Sequence, residues 1–397
     1  MRYEPGPESE DCVGAAFAVD YRHRLVFTRD ALDPSNPALA DAFGSPADRP
    51  HRLLVFVDSG VLEAWPHLPR QIAAYFGVRR EAFDVAGDLV VVPGGEGAKN
   101  DPLVYQQAIA AIHDAGLCRQ SYALVIGGGA VLDVVGYAAA TAHRGIRIVR
   151  MPTTTLAQAD GGLGVKNGIN AFGKKNFLGT FAVPWAVVED FAFLETLSAT
   201  DFRAGLSEVV KVALLKDAAL FRALTERAPG LIARDREATE TVVRRSAWLH
   251  VDHIATGGDP FERTTSRPLD FGHWSAHKLE QMTAFRLGHG AAVAIGLAID
   301  VLYASEVGLL DESTARLILD TLASLGFALY DEALERTDEL LAGLEEFREH
   351  LGGRLTITLL RDVGEPVDVH TIDAAAVRRA IDSLAGWSPA ERSAAAG

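Results

Sequence analysis

The chain has 397 residues, room for two domains of ordinary size, and its 48% hydrophobic and 23% charged content is that of a globular protein with a real core. Lys and Arg total 38 against 53 Asp and Glu, a net charge of −15 that excludes partners held by bulk charge, such as nucleic acid or anionic membrane. Two cysteines, Cys12 and Cys118, exclude a disulfide framework and a cysteine zinc site, so a reducing, cytoplasmic setting fits.

The first twenty residues are expected to be loosely ordered, and their polar, acidic MRYEPGPESEDC start does not suit a secretory signal. Strands are predicted at 52–58 (RLLVFVD), 89–95 (LVVVPGG), 122–129 (YALVIGGG), 146–152 (IRIVRMP) and 186–190 (AVVED). Helical stretches such as 102–116 (PLVYQQAIAAIHDAG) separate several of them, which argues for a doubly wound parallel sheet. The most apolar window, 122–142, holds Asp133 and a glycine triplet, so it suits a buried strand, turn and helix rather than a membrane span. After about Thr200 the pattern turns helical: EVVKVALLKDAALFRALTER, TETVVRRSAWLHVDHI, AAVAIGLAIDVLYASEVG and TARLILDTLASLG, with LTITLLR (355–361) the one strand signal. The expected organisation is an α/β nucleotide domain over 1–195 and a mainly helical metal and substrate domain over 196–397, with the tail SPAERSAAAG frayed.

Three motifs carry chemistry. GGGAVLDVVGYAAAT (127–141) follows a strand and opens a helix, so Gly128 and Gly129 can admit a diphosphate to the helix N-terminus; the same glycines would also serve a plain tight turn. Asp133 lies on an apolar helix where an unpaired carboxylate is costly, and Asp58 ends a strand, placed to accept from a ribose or to sit solvated in a loop. PTTTLAQADGGLGVKNGINAFGKKNFLGTF (152–181) offers Lys166, Lys174 and Lys175 to neutralise phosphate and Asn170 and Asn176 to donate to phosphate or hydroxyl oxygens, unless it is a solvated polar loop. Glu208 and Lys211 stand one turn apart on one helix face, His273 and His277 on another, and His289 opens a third helix. A carboxylate and two imidazoles with an open position describe a catalytic divalent metal site; the alternative is a set of satisfied core histidines.

In their order and spacing, GGGAVLDVVGYAAATAHRG, PTTTLAQAD, GVKNGIN, GKKNFLGTF, GLSEVVK, DFGHWSAHKLE and LGHGAAVAIG resemble the successive motifs of dehydroquinate synthases and other sugar phosphate cyclases, from about 55 to 364. The resemblance implies that Glu208, His273 and His289 hold zinc, or cobalt in its place. PGGEGAK resembles the family's PxGExxK, which places Glu96 and Lys99 near NAD, with Asp133, Thr153, Thr154 and Thr196 lining the same site. Asp160, Lys166, Lys175, Asn176, Lys211 and His277 would face the substrate, and Arg144 would reach the neighbouring subunit's phosphate site, which implies a homodimer. The implied reaction oxidises a hydroxyl transiently with NAD, eliminates phosphate, returns the hydride, opens the ring and closes a carbocycle by an aldol step.

Departures from the family bear on the substrate. No lysine stands between Lys216 and Lys278, and SRPLDFGH replaces the usual LRxxLNxGH, so Arg267 is shifted by one position and Asp270 stands where Asn is usual. A carboxylate there repels an anionic group. DPFERTTSRPLDFGH is instead similar to the pattern of cyclases acting on sedoheptulose 7-phosphate, such as 2-epi-5-epi-valiolone synthases, and the whole chain is similar to the cyclase branch of bacterial ebo-type operons. EHLGG (349–353) falls where dehydroquinate synthases carry a phosphate-binding lysine pair, with Arg348 or His350 as replacements. The expectation is a phosphorylated ketose without a carboxylate; the alternatives are 3-dehydroquinate synthase and a metal-dependent polyol dehydrogenase.

Overall fold

Uninterrupted apolar runs, rather than alternating ones, mark strands covered on both faces. The computed structural model describes residues 18–387, so the expectations for the extreme N-terminus and for the SPAERSAAAG tail lie outside the described residues. In chain order the first part comprises β1 (Leu25–Thr28), α1 (Ala38–Phe43), β2 (His51–Asp58), α2 (Ser59–Ala64), α3 (Leu68–Gly77), β3 (Phe83–Val85), β4 (Val90–Val92), α4 (Gly97–Asn100), α5 (Pro102–Asp114), β5 (Tyr122–Gly127), α6 (Gly129–Thr141), β6 (Arg147–Pro152), β7 (Lys166–Ala171), β8 (Lys174–Phe181) and β9 (Ala186–Asp190). Helices follow: α7 (Ala199–Lys216), α8 (Ala218–Ile232), α9 (Arg236–Thr256), α10 (His273–Met282), α11 (His289–Glu306), α12 (Glu312–Ser324) and α13 (Thr337–His350), then β10 (Ile357–Asp362), β11 (Glu365–Val369) and α14 (Ala374–Ala385).

Seven strands form one parallel sheet in the order β1-β9-β6-β5-β2-β3, with β4 also paired to β2. Alternate residues of β2 enter opposite layers. Leu53, Val55 and Val57 pack with α1 and α3, through Phe43, Tyr75 and Phe76. Leu54 and Phe56 pack with α5 and α6, through Ala108, Ile112 and Val135. The helical part has its own core, in which α11 is buried along nearly its whole length.

Several expectations are corrected. β1 and β3, of four and three residues, carry too few apolar positions to announce themselves. The polar stretch 166–181, for which a solvated loop was the alternative, forms the antiparallel hairpin β7–β8. The long run beginning EVVKVALLK breaks at Asp217, whose side chain accepts from Ala219 N and Leu220 N to start α8. LTITLLR is paired in a hairpin with β11, which the sequence did not signal. Among the described residues no helix is long and apolar enough to cross a membrane.

Candidate active site

Parallel strands all present their carboxyl ends to one edge, where ligands bind in such sheets. Asp58 ends β2 in register with Val92, and Gly127 ends β5 in register with Pro152, so Asp58, Gly94, Gly127, Gly128 and Thr153 meet at that edge. Asp58 accepts from Gly60 N at 2.9 Å and Gly128 N at 3.3 Å, tying the start of α2 to the turn before α6. Side chains cannot be added around it: a Cβ on Gly94 would stand 2.3 Å from Asp58 Oδ1, and one on Gly127 would stand 3.0 Å from Asp58 Cβ. At Gly129 an added Cβ would meet nothing within 4 Å, so the N-terminus of α6 faces open space. Lys99, buried on α4, donates to Asp133 Oδ2 at 2.6 Å. Burial works against its charge, but Asp133 outweighs this and holds the ammonium above its usual range.

Three helices converge across the cleft because glycines let them touch. A Cβ on Gly290 of α11 would stand 2.1 Å from Ala204 O of α7, and one on Gly296 would stand 2.0 Å from Gly272 O, just before α10. Gly272 itself has φ +77°, the left-handed conformation that opens α10. Buried Asp300 of α11 accepts from Gly272 N at 2.9 Å and from Trp274 Nε1 at 2.8 Å, which fixes the first turn of α10. Burial pushes its carboxyl up to about 7 despite these two donors.

This packing brings Glu208 of α7, His273 of α10 and His289 of α11 together. Glu208 Oε1 lies 3.5 Å from His273 Nε2 and 3.3 Å from His289 Nε2. Donors bound at about 2.0–2.1 Å around a tetrahedral ion lie about 3.3 Å apart, so the spacing fits a zinc-sized cation. The other ring nitrogens already face acceptors, Phe271 O at 3.0 Å for His273 Nδ1 and Glu280 Oε2 at 3.2 Å for His289 Nδ1. Burial disfavours the Glu208 charge, yet Lys211 and His273 outweigh it and hold the carboxyl well below the usual range. Burial also opposes the His289 charge, but its hydrogen bonds to Glu208 and Glu280 raise the imidazole to about 9. His277 stands exposed beside them, its ring centroid 5.3 Å from that of His273 and 5.9 Å from that of His289.

The remaining charges line the walls. Lys211 is buried, with Nζ 2.7 Å from Asp160 Oδ2 and 2.6 Å from Glu208 Oε2, so its ammonium is engaged rather than open to the cleft as the sequence suggested. Asp160 sits in a π-helical turn (Ala157–Gly161), an irregularity common at functional sites. Lys175 pairs with Glu280 at 2.8 Å, while Asn170 Nδ2 donates to Glu96 Oε1 and Asn100 Oδ1 and its Oδ1 accepts from Asn176 N. Lys166 pairs with Glu262, and Arg267 Nη1 lies 3.7 Å from Glu262 and 4.0 Å from Asp270.

Some expected residues stand apart. The Thr196 hydroxyl accepts from Trp65 Nε1 at 2.8 Å, a structural use. Thr154 Oγ1 accepts from Ala157 N at 3.1 Å, but its Cγ2 stays beside the glycine turn, 3.4 Å from where a Cβ on Gly128 would stand. Arg144 forms no hydrogen bond or ion pair among the described residues and is exposed, with φ +63° next to His143 at +51°. Arg348 is held by Glu345 on its own helix and by Gly353 O.

Other residues of the site were missed. Arg150, fully buried, donates to Gly162 O, Gly164 O, Lys166 O and Asn167 Oδ1, and so clamps the π-turn to the hairpin. His250, also buried, has Nδ1 3.4 Å from Asp160 Oδ1. Glu280 was within reach of sequence reading, since it follows His273 and His277 at i+7 and i+3 on one helix face.

The family model described as 3-dehydroquinate synthase N-terminal matches residues 89–204, and that described as 3-dehydroquinate synthase C-terminal matches 205–345. A 2-epi-5-epi-valiolone synthase of Streptomyces glaucescens is 33% identical over 369 residues, 92% of this chain and 92% of the relative. A 3-dehydroquinate synthase of Cereibacter sphaeroides is 33% identical over 363 residues, 89% of this chain and 95% of the relative. The solved structure of the 2-epi-5-epi-valiolone synthase ValA from Streptomyces hygroscopicus subsp. jinggangensis, with NAD⁺ and Zn²⁺ bound, is similar with a TM-score of 0.83 at 31% identity, covering 94% of this chain and 99% of that one.

Proposed function

The chain belongs to the 3-dehydroquinate synthase family, and from that premise we propose that it is an NAD- and metal-dependent sugar phosphate cyclase whose substrate is a phosphorylated ketose lacking a carboxylate, sedoheptulose 7-phosphate first among candidates. The observation that carries the substrate choice is the cluster Lys166, Glu262, Arg267 and Asp270. Its two cations already face two carboxylates of the same chain, with Arg267 3.7 Å from Glu262 and 4.0 Å from Asp270. A substrate carboxylate entering there would displace an existing ion pair and meet Asp270, whereas hydroxyls can bridge both signs of charge.

Glu208, His273 and His289 would hold zinc or cobalt, and the open carboxyl edge with Gly128, Gly129, Asp58, Glu96, Lys99, Asp133 and Thr153 would hold NAD. The metal, when bound, supplies a Lewis acid for a hydroxyl or carbonyl oxygen, and NAD supplies a reversible hydride acceptor. The chain's own groups do the rest. Lys175, Asn170 and Asn176 gather at the hairpin as donors for phosphate. Arg144, aimed outward on a left-handed turn, suits the phosphate site of a second subunit, as in a homodimer. Asp160, between Lys211 and His250, and exposed His277 would take and return protons. Lys166 stabilises developing negative charge, and buried Lys211 acts behind it by holding Asp160 and Glu208.

Phosphate release tests the reading. Purified protein with NAD⁺ and Zn²⁺ or Co²⁺ is given sedoheptulose 7-phosphate and 3-deoxy-arabino-heptulosonate 7-phosphate in parallel. Release from the first alone is expected. Release from the second alone would make the protein a 3-dehydroquinate synthase and overturn the role given to the charge cluster.

A further inference from the structure

Glu280 is one of the most buried carboxylates in the cleft, at 3% exposure, and its two oxygens serve different domains. Oε2 lies 3.2 Å from His289 Nδ1. Oε1 accepts from Lys175 Nζ at 2.8 Å, and Lys175 belongs to β8, across the cleft. The same ammonium lies 3.9 Å from Glu96, which accepts from Asn170 of β7 at 3.2 Å. A continuous polar chain therefore runs from His289 through Glu280 and Lys175 to the hairpin and to α4. Glu280, His277 and His289 could also be grouped as donors to an ion. The 3.2 Å contact of Glu280 Oε2 with His289 Nδ1 fits the other role better, an acceptor that orients the ligand, since His289 Nε2 is the nitrogen that faces Glu208.

We propose that Glu280 is a positioning residue of the metal centre. It accepts the Nδ1 proton of His289, which leaves Nε2 free toward Glu208 and the metal, and it anchors Lys175, which joins the metal centre to the phosphate-binding hairpin. The first half follows a general rule: a metal-bound histidine is oriented by an acceptor on its other nitrogen. His273 obeys it through Phe271 O, and His289 through Glu280. The second half comes from Glu280 having two oxygens and the hairpin lysine taking one. The inference rests on Glu208, His273 and His289 being the ligand set.

The test measures metal binding rather than turnover. Metal-free full-length protein is titrated with Zn²⁺ against a chromophoric chelator, and with Co²⁺ for its visible spectrum. Glu280→Gln keeps the shape and removes the charge; it is expected to weaken Zn²⁺ affinity by about 10-fold or more and to alter the Co²⁺ bands. Lys175→Met is expected to keep the metal affinity but to speed hydrogen exchange across residues 166–181. Unchanged affinity and spectrum in Glu280→Gln, with binding lost in Glu208→Ala, would overturn the role of Glu280 alone. Binding retained in Glu208→Ala as well would overturn the ligand set. If Glu280→Gln does not fold, unchanged exchange of the hairpin in Lys175→Met would still contradict the link.

Discussion

A histidine binds a metal only after its proton has gone elsewhere, and His289 holds that proton tightly. Glu208 and Glu280 raise it to about 9 in the metal-free protein, so metal binding at pH 7 must displace a proton. Affinity is expected to rise about tenfold per pH unit up to about pH 9, and calorimetry in buffers of different ionisation enthalpy should show proton release. The same shift affects stability. The folded pKa lies above the unfolded 6.5, so this contribution is full below 6.5 and is lost as pH rises through about 9. The thermal midpoint of metal-free protein should fall across that window, and a flat profile would contradict the assigned partners. Glu208→Ala should abolish metal binding and phosphate release while leaving NAD binding largely intact, since Asp58, Lys99 and Asp133 lie on the opposite wall. Glu208, His273 and His289 were legible from the chain as candidates by residue type and by their places on or at the start of helices, and the family resemblance, not spacing, grouped them as a ligand set. Arg150 and Asp300 were not, because their contacts are long-range and leave no local pattern: Arg150 reaches backbone carbonyls, and Asp300 reaches back 28 and 26 residues to Gly272 and Trp274.

At the scale of elements, the metal ligands are placed by helix contacts rather than by their own loops. Asp300→Asn keeps the size but puts an amide N–H against Gly272 N or Trp274 Nε1, both donors. A buried unsatisfied donor costs about 1–3 kcal/mol, so the variant should unfold at a lower temperature and hold Zn²⁺ more weakly through His273. A thermal midpoint equal to that of the parent protein would show that the α10 start is held by something else. Gly290→Ala tests the neighbouring contact, where an added Cβ would meet Ala204 O at 2.1 Å. Backbone cannot swing aside as a flexible side chain can, so a loss of about 1–3 kcal/mol is expected in a denaturant titration. The hairpin β7–β8 shows where element reading fails. β8 mixes Lys174, Lys175 and Asn176 with Phe177, Leu178 and Phe181 and is exposed at most positions, so the two-residue alternation that betrays a half-buried strand is missing. What holds it is the Arg150 clamp and the Lys175–Glu280 tie, neither visible as a pattern.

On the scale of the whole molecule, the doubly wound sheet was legible because β2, β5, β6 and β9 each carry a short apolar run, while the edge strands β1 and β3 were too short to detect. Arg144 is exposed on a left-handed turn and forms no hydrogen bond or ion pair among the described residues. If a second subunit receives it, Arg144→Ala and Glu208→Ala proteins, each inactive alone, should regain activity when mixed and re-associated. Random pairing leaves one intact site in each mixed dimer, so recovery should approach about a quarter of the parent rate. No recovery, with mixed dimers present, would place Arg144 outside any shared site. The central claim is that NAD is recycled within each turnover, which separates a cyclase from a polyol dehydrogenase on the same fold. The direct measurement is phosphate release from sedoheptulose 7-phosphate with NAD⁺ held far below the substrate concentration, while absorbance in the NADH band is followed. Many phosphates per NAD⁺ with no accumulating NADH is the predicted result; NADH building up one-for-one with substrate consumed, without phosphate release, would contradict it.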